Sequence, residues 1–336
     1  MTPAATLRDR AAGALTGLAL GDALGMPTQH LPHETIQARY GLLDDFHPGP
    51  EDNDISRGMP AGHVTDDTDQ AVILGELLVA GRGTVDPDAF AARLLEWERR
   101  MRATGSRDLL GPSTLKALDL LARGVSADRT GRWGDTNGAA MRITPVGIAV
   151  PPTPLGRLVD AVEQANRVTH NTGIAIAGAA AVAAAVSSGL AGAALGDSLR
   201  FAVAAARLGA GRGYYVAGAD VAARIEWALD LVAGRAPADA LEIVYRLVGA
   251  GVATQESVPA ALAMAAVFPD DAWACCRHAA SLGGDCDTIA AMAGAVVGAH
   301  VGVAAVPGPV RARLTAANPE LELDRLAGEL LSLRHQ

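Results

Sequence analysis

Hydrophobic positions recur along most of the chain with the spacing of one face of a helix. This period predicts helices at 7–24, 66–79, 87–103, 112–123, 138–149, 154–168, 172–187, 216–233, 237–248, 254–267, 270–281, 285–301 and 321–333. The strict alternation of apolar and polar residues that is typical of strands is scarce. The pattern therefore predicts an all-α fold. Because no internal repeat or long linker divides the chain, we expect one domain over residues 1–336.

A polar segment over residues 28–63 interrupts the helical pattern. It is rich in Pro, Gly, Asp and His, which predicts a long loop. A loop of this length inside a compact protein is more often functional than idle. We therefore expect this segment to do more than connect two helices.

The composition raises a question about membranes. Half of the residues are hydrophobic, only 4% are aromatic, and 38 are glycines. Two stretches, 172–195 and 288–310, are long and apolar enough to span a bilayer. Both consist mostly of Ala and Gly, which contribute little transfer free energy compared with Leu, Ile or Phe. We interpret them as buried helices without membrane association, and we expect Ser187, Ser188 and Gly189 to break the first into two.

The charge and the cysteines limit the partners and the compartment. The formal net charge of -9 disfavours nonspecific binding to nucleic acid or anionic lipid, so we expect neither partner. The three cysteines lie in one C-terminal stretch, which excludes a disulfide scaffold. Unpaired cysteines favour a cytoplasmic location.

Two short polar clusters each precede an apolar helix, HVTDDTD at 63–69 and GGDCDT at 283–288. Capping of the helix N-terminus explains one acid in each cluster. It does not explain several acids close together, which repel one another unless a cation lies between them. The donors are oxygens, which suit Mg²⁺, Mn²⁺ or Ca²⁺ better than Zn²⁺. The residues alone leave helix capping and a metal site both open.

Four motifs, taken together and in this order, resemble those of the ADP-ribosylglycohydrolase family. They are GLALGDALG at 17–25, TDDT at 65–68, NGAAMR at 137–142 and GDCDT at 284–288. The resemblance covers most of the chain and implies a compact orthogonal bundle of helices with a cleft for two metal ions. It also implies a hydrolase of the glycosidic bond at C1 of the ribose in an ADP-ribosylated protein side chain or another ADP-ribosyl compound.

The resemblance implies two Mg²⁺ ions, or Mn²⁺, held between the two polar clusters. The implied ligands are Thr65, Asp66 and Asp67 on one side and Asp285, Asp287 and Thr288 on the other. Two ions can clamp the ribose hydroxyls, orient a water molecule and favour its ionisation. Either Asp66 or Asp285 would take the proton from that water, and the sequence does not choose between them.

Four further residues are expected to contact the substrate. The resemblance places Asn137, Gly138 and His170 beside the ADP-ribose. Gln29 stands where many family members have Glu, and an amide cannot act as a carboxylate base. Another acid therefore supplies that role, or this branch of the family works differently.

Trp133 and Tyr214 are candidates for stacking on the base of the substrate. The alternative is that both rings pack in the core or at its rim, where most aromatic side chains lie.

Two other functions remain open from the sequence. The second hypothesis is hydrolysis of a smaller nucleoside-like N-glycoside on the same dimetal scaffold. The acidity and the lack of a basic stripe favour this hypothesis, because Arg and Lys are the usual partners of a diphosphate. The third hypothesis is a non-catalytic member that binds a metal or a ligand, since a fold alone does not determine function.

Overall fold

Helix α1 (Leu7–Gly25) runs through the core, and from Ala11 onwards all of its residues are buried. The hydroxyl of Thr6 accepts a hydrogen bond from the backbone N–H of Asp9, which caps the N-terminus of the helix. The computed structural model describes residues 5–106 and 110–334. Within these ranges the chain is helical, and its extended pairing is limited to two isolated bridges. The predicted all-α fold class is confirmed.

The remaining helices complete a bundle around α1. They are α2 (His33–Arg39), α3 (Asp66–Ala80), α4 (Pro87–Ala103), α5 (Pro112–Ala122), α6 (Ala127–Thr130), α7 (Gly138–Met141), α8 (Thr144–Ala149), α9 (Leu155–Asn166), α10 (Gly173–Leu190), α11 (Leu195–Gly209), α12 (Val221–Val232), α13 (Pro237–Ile243), α14 (Thr254–Val267), α15 (Ala272–Ala280), α16 (Cys286–Val301), α17 (Gly308–Ala317) and α18 (Leu323–Leu333). A π-helical turn (Val244–Val248) follows α13, and a 3₁₀ turn (Val303–Ala305) follows α16.

Helices α1 and α16 pack with their backbones in contact. A Cβ atom added to Gly17 would lie 2.1 Å from the carbonyl oxygen of Gly294, and one added to Gly21 would lie 2.1 Å from that of Ala290. Only residues without side chains permit such an approach. Small residues at every fourth position therefore explain much of the Gly and Ala content, and they bring the C-terminal end of α1 beside the N-terminal end of α16.

Helix α10 is the one described helix that is long and apolar enough to cross a membrane, and its apolar window is entirely buried inside the protein. The helix continues through Ser187, Ser188 and Gly189 and ends at Leu190, so the predicted break at 187–189 is wrong. The hydroxyl of Ser187 donates to the carbonyl oxygen of Val150. This hydrogen bond satisfies the buried hydroxyl and allows a polar residue in the middle of the core.

Other differences from the predicted helices are local. The segment 28–63 contains α2 and is not all loop. The predicted helix at 138–149 is two short helices, α7 and α8, with Pro145 in the first turn of α8. The sequence pattern missed α17 and also α11, which begins after Ala194 without a side-chain cap.

Candidate active site

The two acidic clusters lie together, at the N-terminal ends of α3 and α16. The hydroxyl of Thr288 donates a hydrogen bond of 3.2 Å to Oδ2 of Asp67, which joins the clusters directly. In α3 the N-cap is Thr65, whose hydroxyl accepts from the N–H of Asp67. In α16 the N-cap is Asp285, but its side chain makes no capping hydrogen bond. Helix capping therefore accounts for Thr65 and leaves Asp67 and Asp285 without that explanation.

Asp22, near the C-terminal end of α1, holds the start of α3 in place. Its carboxylate accepts hydrogen bonds from the backbone N–H and the hydroxyl of both Thr65 and Thr68. Burial raises the pKa of Asp22 to about 6, against the opposing effect of these hydrogen bonds. The sequence analysis did not propose Asp22 for the site. The available signal was a carboxylate within an otherwise apolar, Gly-rich helix.

Asp67 and Asp287 are buried, and each keeps one carboxylate oxygen without a hydrogen-bond partner. Among the described residues nothing bonds Oδ1 of Asp67 or Oδ1 of Asp287. Burial raises the pKa of Asp67 well above its ordinary value, and repulsion from Asp287 raises it further. Burial and repulsion from Asp285 act on the pKa of Asp287 in the same way. Buried carboxylate oxygens with free lone pairs and like-charged neighbours are a donor set that fits a hard divalent cation.

Among the described residues, the acidic side chains do not form a complete metal-binding site. In the described part of the chain, no group of three His, Cys, Asp or Glu side chains is positioned to hold a metal ion. Threonine hydroxyls lie among the acids at both helix ends, so the oxygen donors of the site are more numerous than the carboxylates. The described side chains therefore offer a cation both carboxylate and hydroxyl oxygens, which are hard oxygen donors.

Asp66 and Asp285, the two candidate bases, have different surroundings. Asp66 is half-buried, and Oδ2 accepts a hydrogen bond of 2.6 Å from the side-chain amide of Gln70. Asp285 accepts from the side-chain amide of Asn137, and Nε2 of His30 lies 3.9 Å from its Oδ1. Burial raises the pKa of Asp285. Gln70 and His30 are further site residues that the sequence analysis did not propose.

A cavity of about 420 Å³ opens above these carboxylates. His30 lines it, and so do nine of the site residues predicted from the sequence, namely Gln29, Asp66, Asp67, Asn137, Gly138, His170, Asp285, Asp287 and Thr288. Thr65 is buried and lies outside the lining residues. Within the described ranges, no Lys or Arg side chain lines the cavity. The cavity wall is therefore strongly acidic in the absence of a bound cation.

His170 forms a neutral part of the cavity wall. Its Nδ1 lies 2.9 Å from the hydroxyl of Thr169, and its Nε2 lies 3.1 Å from the hydroxyl of Thr136. Burial lowers the pKa of His170 well below its ordinary value, and the positive charge of Arg142 lowers it further. A Cβ atom at Gly138 would lie 2.9 Å from Cε1 of the His170 ring. Glycine at 138 therefore lets the backbone approach the imidazole closely.

Gln29 lines the cavity with a buried amide. Its Nε2 has no hydrogen-bond partner among the described residues, while its backbone carbonyl accepts from the side chain of Asn53. A buried amide donor without a partner is unfavourable, so a ligand acceptor at this point would satisfy it.

The structure does not bring Trp133 and Tyr214 into the cavity, since neither ring is among its lining residues. Trp133 is 49% exposed. The guanidinium of Arg132 lies 4.7 Å from the centroid of the Trp133 ring and 5.2 Å from that of Tyr214. The two rings pack on a surface cation, and this packing takes the place of the predicted stacking on a base inside the cavity.

A larger cavity, of about 970 Å³, lies between α11 and α12. Leu199, Val203 and Leu229 line it, and none of the predicted site residues does. Cavity volume alone would therefore not identify the candidate active site, because the acidic side chains converge on the smaller cavity.

A sequence model of the ADP-ribosylglycohydrolase family matches residues 3–336 of this chain. The chain belongs to the ADP-ribosylglycohydrolase family. One relative, Uncharacterized protein YegU of Escherichia coli strain K12, is 37% identical over 332 residues, which is 98% of each chain. A solved structure titled ADP-ribosylglycohydrolase-related protein complex superposes with a TM-score of 0.67 at 28% identity, over 97% of this chain and 98% of the other.

Two relatives within the family have named activities. The ADP-ribosyl-dinitrogen reductase glycohydrolase of Rhodospirillum rubrum is 31% identical over 49% of this chain and 53% of its own length. The ADP-ribosylarginine hydrolase Tri1 of Pseudomonas putida strain GB-1 is 31% identical over 52% of this chain and 45% of its own length. Membership in this family makes the chain a hydrolase that acts on glycosyl bonds.

Proposed function

We propose that this ADP-ribosylglycohydrolase is a Mg²⁺-dependent enzyme that cleaves the glycosidic bond at C1 of the ribose in an ADP-ribosylated substrate. The observation that carries the proposal is the pair of buried, partnerless oxygens of Asp67 and Asp287 at one cavity. Burial and repulsion between neighbouring carboxylates raise the pKa of both aspartates, and a bound cation would compensate their charge. An oxygen-only donor set favours Mg²⁺ or Mn²⁺ as that cation.

Each helix end supplies part of the proposed donor set for two ions. These donors are Thr65, Asp66 and Asp67 of the α3 end and Asp285, Asp287 and Thr288 of the α16 end. When bound, such ions polarise the hydroxyls of a substrate and lower the pKa of water. Asp22 fixes the α3 end through its hydrogen bonds to Thr65 and Thr68, so it sets the positions of the donors without facing the cavity.

The other side chains of the cavity would orient the substrate and move a proton. An amide donor bonds one oxygen of each candidate base, Gln70 for Asp66 and Asn137 for Asp285, and Asp66 is the more exposed of the two. The greater exposure favours Asp66 as the group that takes the proton from water. Gln29 offers a buried N–H donor to a ribose hydroxyl or phosphate oxygen, and His170 offers a neutral ring.

The direct test is turnover of defined substrates in the presence and absence of metal. ADP-ribosylarginine, an ADP-ribosylserine peptide and ADP-ribose 1″-phosphate would each be incubated with the enzyme in MgCl₂ or MnCl₂. Release of free ADP-ribose would be followed by chromatography. We expect release from at least one of these compounds and none after EDTA treatment, with recovery on re-addition of Mg²⁺.

A matched pair of variants sharpens the test. Asp67→Asn removes a buried carboxylate of the site, whereas Asp230→Asn changes an exposed carboxylate on α12. We expect Asp67→Asn to lose turnover and Asp230→Asn to keep it. Metal-independent turnover, or full turnover by Asp67→Asn, would contradict the proposal.

A second candidate is hydrolysis of a smaller nucleoside-like N-glycoside. The observation that favours it is the acidic lining of the cavity, which in the described residues carries no Arg or Lys to meet a diphosphate. Release of free base from nucleosides, with no turnover of any ADP-ribosyl compound, would establish this alternative.

The proposed partner is an ADP-ribosylated protein or a small ADP-ribosyl compound. The proposed compartment is the cytoplasm. This proposal rests on the three cysteines, which are all buried and free in the structure.

A further inference from the structure

Arg142, which follows α7, is a cation enclosed in the core. Its exposure is zero, and its guanidinium lies 4.9 Å from the centroid of the Phe90 ring. Burial lowers the pKa of Arg142 only to about 9, so it is still charged at neutral pH. A buried charge is costly unless hydrogen bonds compensate it. The partners of this guanidinium therefore show what it is placed to do.

One side of the guanidinium is connected through Gln70 to Asp66, on the cavity wall that carries the acidic clusters. Nη1 donates a hydrogen bond of 2.9 Å to Oε1 of Gln70, and Nε2 of Gln70 donates one of 2.6 Å to Oδ2 of Asp66. Arginine can only donate, so the carbonyl of Gln70 must face it and the amide NH₂ must face Asp66. The orientation of Gln70 is fixed, and Asp66 always meets a donor.

The other side of the guanidinium reaches the opposite wall. Nη2 donates to the hydroxyl oxygen of Thr169, which leaves the Thr169 hydrogen free to point to Nδ1 of His170 at 2.9 Å. Beyond the ring, the hydroxyl of Thr136 donates to Ser113, so its oxygen accepts from Nε2–H of His170. Nη2 of Arg142, which can only donate, also lies 3.5 Å from Nδ1 of His170, so these contacts favour a neutral His170 with its proton on Nε2.

We propose that Arg142 is a positioning residue that fixes Asp66 as a hydrogen-bond acceptor and His170 as the neutral Nε2–H tautomer on facing walls of the cavity. The part of this inference that treats Asp66 as a metal ligand rests on the proposed function. The part that concerns the tautomer of His170 is independent of the proposed function. The positive charge of Arg142 also lowers the pKa of His170, which agrees with a neutral ring. Outer partners of this kind set the orientation of site residues and tune their affinity.

The first experiment reads the tautomer of His170 without metal or substrate. The two ring nitrogens are observed by ¹⁵N NMR in the full chain, with the signals assigned from a His170→Asn variant. We expect the wild type to show a protonated Nε2 and a hydrogen-bonded, unprotonated Nδ1. In Thr169→Val the Nδ1 signal should shift, because the hydroxyl donor is lost and only the longer contact of 3.5 Å with Nη2 of Arg142 remains, and Thr169→Ser should restore it.

A matched control separates this effect from a general loss of packing. Thr130 is also buried, and its hydroxyl donates to the carbonyl of Val168, outside the chain of bonds described above. Thr130→Val should leave the His170 signals in place. An Nδ1–H tautomer or an imidazolium in the wild type, or an unchanged Nδ1 signal in Thr169→Val, would overturn the inference.

The second experiment measures Mn²⁺ affinity by calorimetry, a readout that needs no turnover. Gln70→Met keeps the length of the side chain but cuts both of its hydrogen bonds, and we expect about tenfold weaker binding. Gln164→Met, on α9, is the control and should bind as the wild type does. Wild-type affinity in Gln70→Met, with only a lower melting temperature, would show that Arg142 merely stabilises the fold. If the wild type binds no Mn²⁺, the proposed function fails, and the NMR measurement alone decides the inference.

Discussion

At the scale of single residues, the site concentrates negative charge where water does not reach. Asp22, Asp67 and Asp287 are almost fully buried, and burial raises the pKa of each. Hydrogen bonds satisfy Asp22, whereas Oδ1 of Asp67 and Oδ1 of Asp287 lack partners in the described chain. The metal-free protein therefore carries a local destabilisation that a divalent cation would relieve.

Asp287→Asn should raise the melting temperature of the metal-free protein, because an amide removes the charge that repels Asp67 and Asp285. The same variant should lose the stabilisation that MgCl₂ gives to the wild type, since a bound ligand stabilises only the state that binds it. Thermal shift with and without MgCl₂ checks both effects. Equal Mg²⁺ stabilisation of wild type and variant would exclude Asp287 as a ligand.

The gain from Asp287→Asn should also depend on pH. The raised pKa of Asp287 means that the folded state binds more protons than the unfolded state above the unfolded pKa of about 3.9. Its favourable contribution is complete below that pH and is lost as the pH rises through the folded pKa. The melting temperatures of variant and wild type should therefore be similar near pH 4 and diverge as the pH rises through the folded pKa.

Comparing two proteins at each pH removes an opposing trend. Burial lowers the pKa of His170, His278 and His300, which makes stability rise with pH in both proteins alike. A difference between variant and wild type that shrank with rising pH would contradict the burial of a charged Asp287.

At the scale of elements, the contact of α1 with α16 decides where the two clusters meet. A Cβ atom at Gly25 would lie 2.3 Å from Cα of Asp287, so the end of α1 touches the start of α16 directly. The four-residue spacing of Gly17, Gly21 and Gly25 is visible in the sequence. The sequence does not show which helix packs against α1, because a stripe of small residues is complementary to any other stripe of the same kind.

Gly17→Ala should destabilise the protein by about 1–3 kcal/mol, because its methyl group would overlap the carbonyl oxygen of Gly294. Gly156→Ala, in α9, is the matched control, since a Cβ atom added there would meet nothing within 4 Å. That substitution should be neutral or stabilising by about 0.4–1 kcal/mol through a smaller entropy of the unfolded chain. Urea unfolding measures both, and equal effects of the two changes would refute the close packing of α1 and α16.

The predicted helices were most accurate where a capping residue marks the start, as Thr65 does for α3 and Asp86 for α4. Helices α3 and α4 begin and end within a residue or so of their predicted bounds. The predicted break at Ser187 was wrong because the hydroxyl finds a carbonyl partner at Val150, directly after α8. The pattern did not reveal α11, which begins after Ala194 with no side-chain cap.

At the scale of the whole molecule, the cavity is an acidic opening in an acidic protein. The formal net charge is -9, and the described lining carries four aspartates and no Lys or Arg. A diphosphate that entered the metal-free cavity would meet repulsion from the aspartates at the α3 and α16 ends. Bound cations would reverse the sign of that interaction, so the ion and the substrate should bind cooperatively.

ADP-ribose should therefore bind only when Mg²⁺ is present, whereas uncharged adenosine should depend on it less. Calorimetric titration of each ligand, with MgCl₂ and again with EDTA, measures this coupling. Because an allosteric coupling is reciprocal, ADP-ribose should also tighten Mg²⁺ binding by the same factor. Equal affinity for ADP-ribose with and without metal would contradict the proposed electrostatics of the cavity.

The sequence by itself determined the helical period, the glycine spacing of α1 and the two acidic clusters, because each is a local pattern of residue types. Tertiary structure decided which of those residues meet. It placed Asp22 under Thr65 and Thr68, linked Asp66 to His170 through Arg142, and left Trp133 outside the cavity. These outcomes depend on hydrogen bonds and burial between positions far apart in the chain. Such contacts exist only after the helices have packed, so no local pattern encodes them.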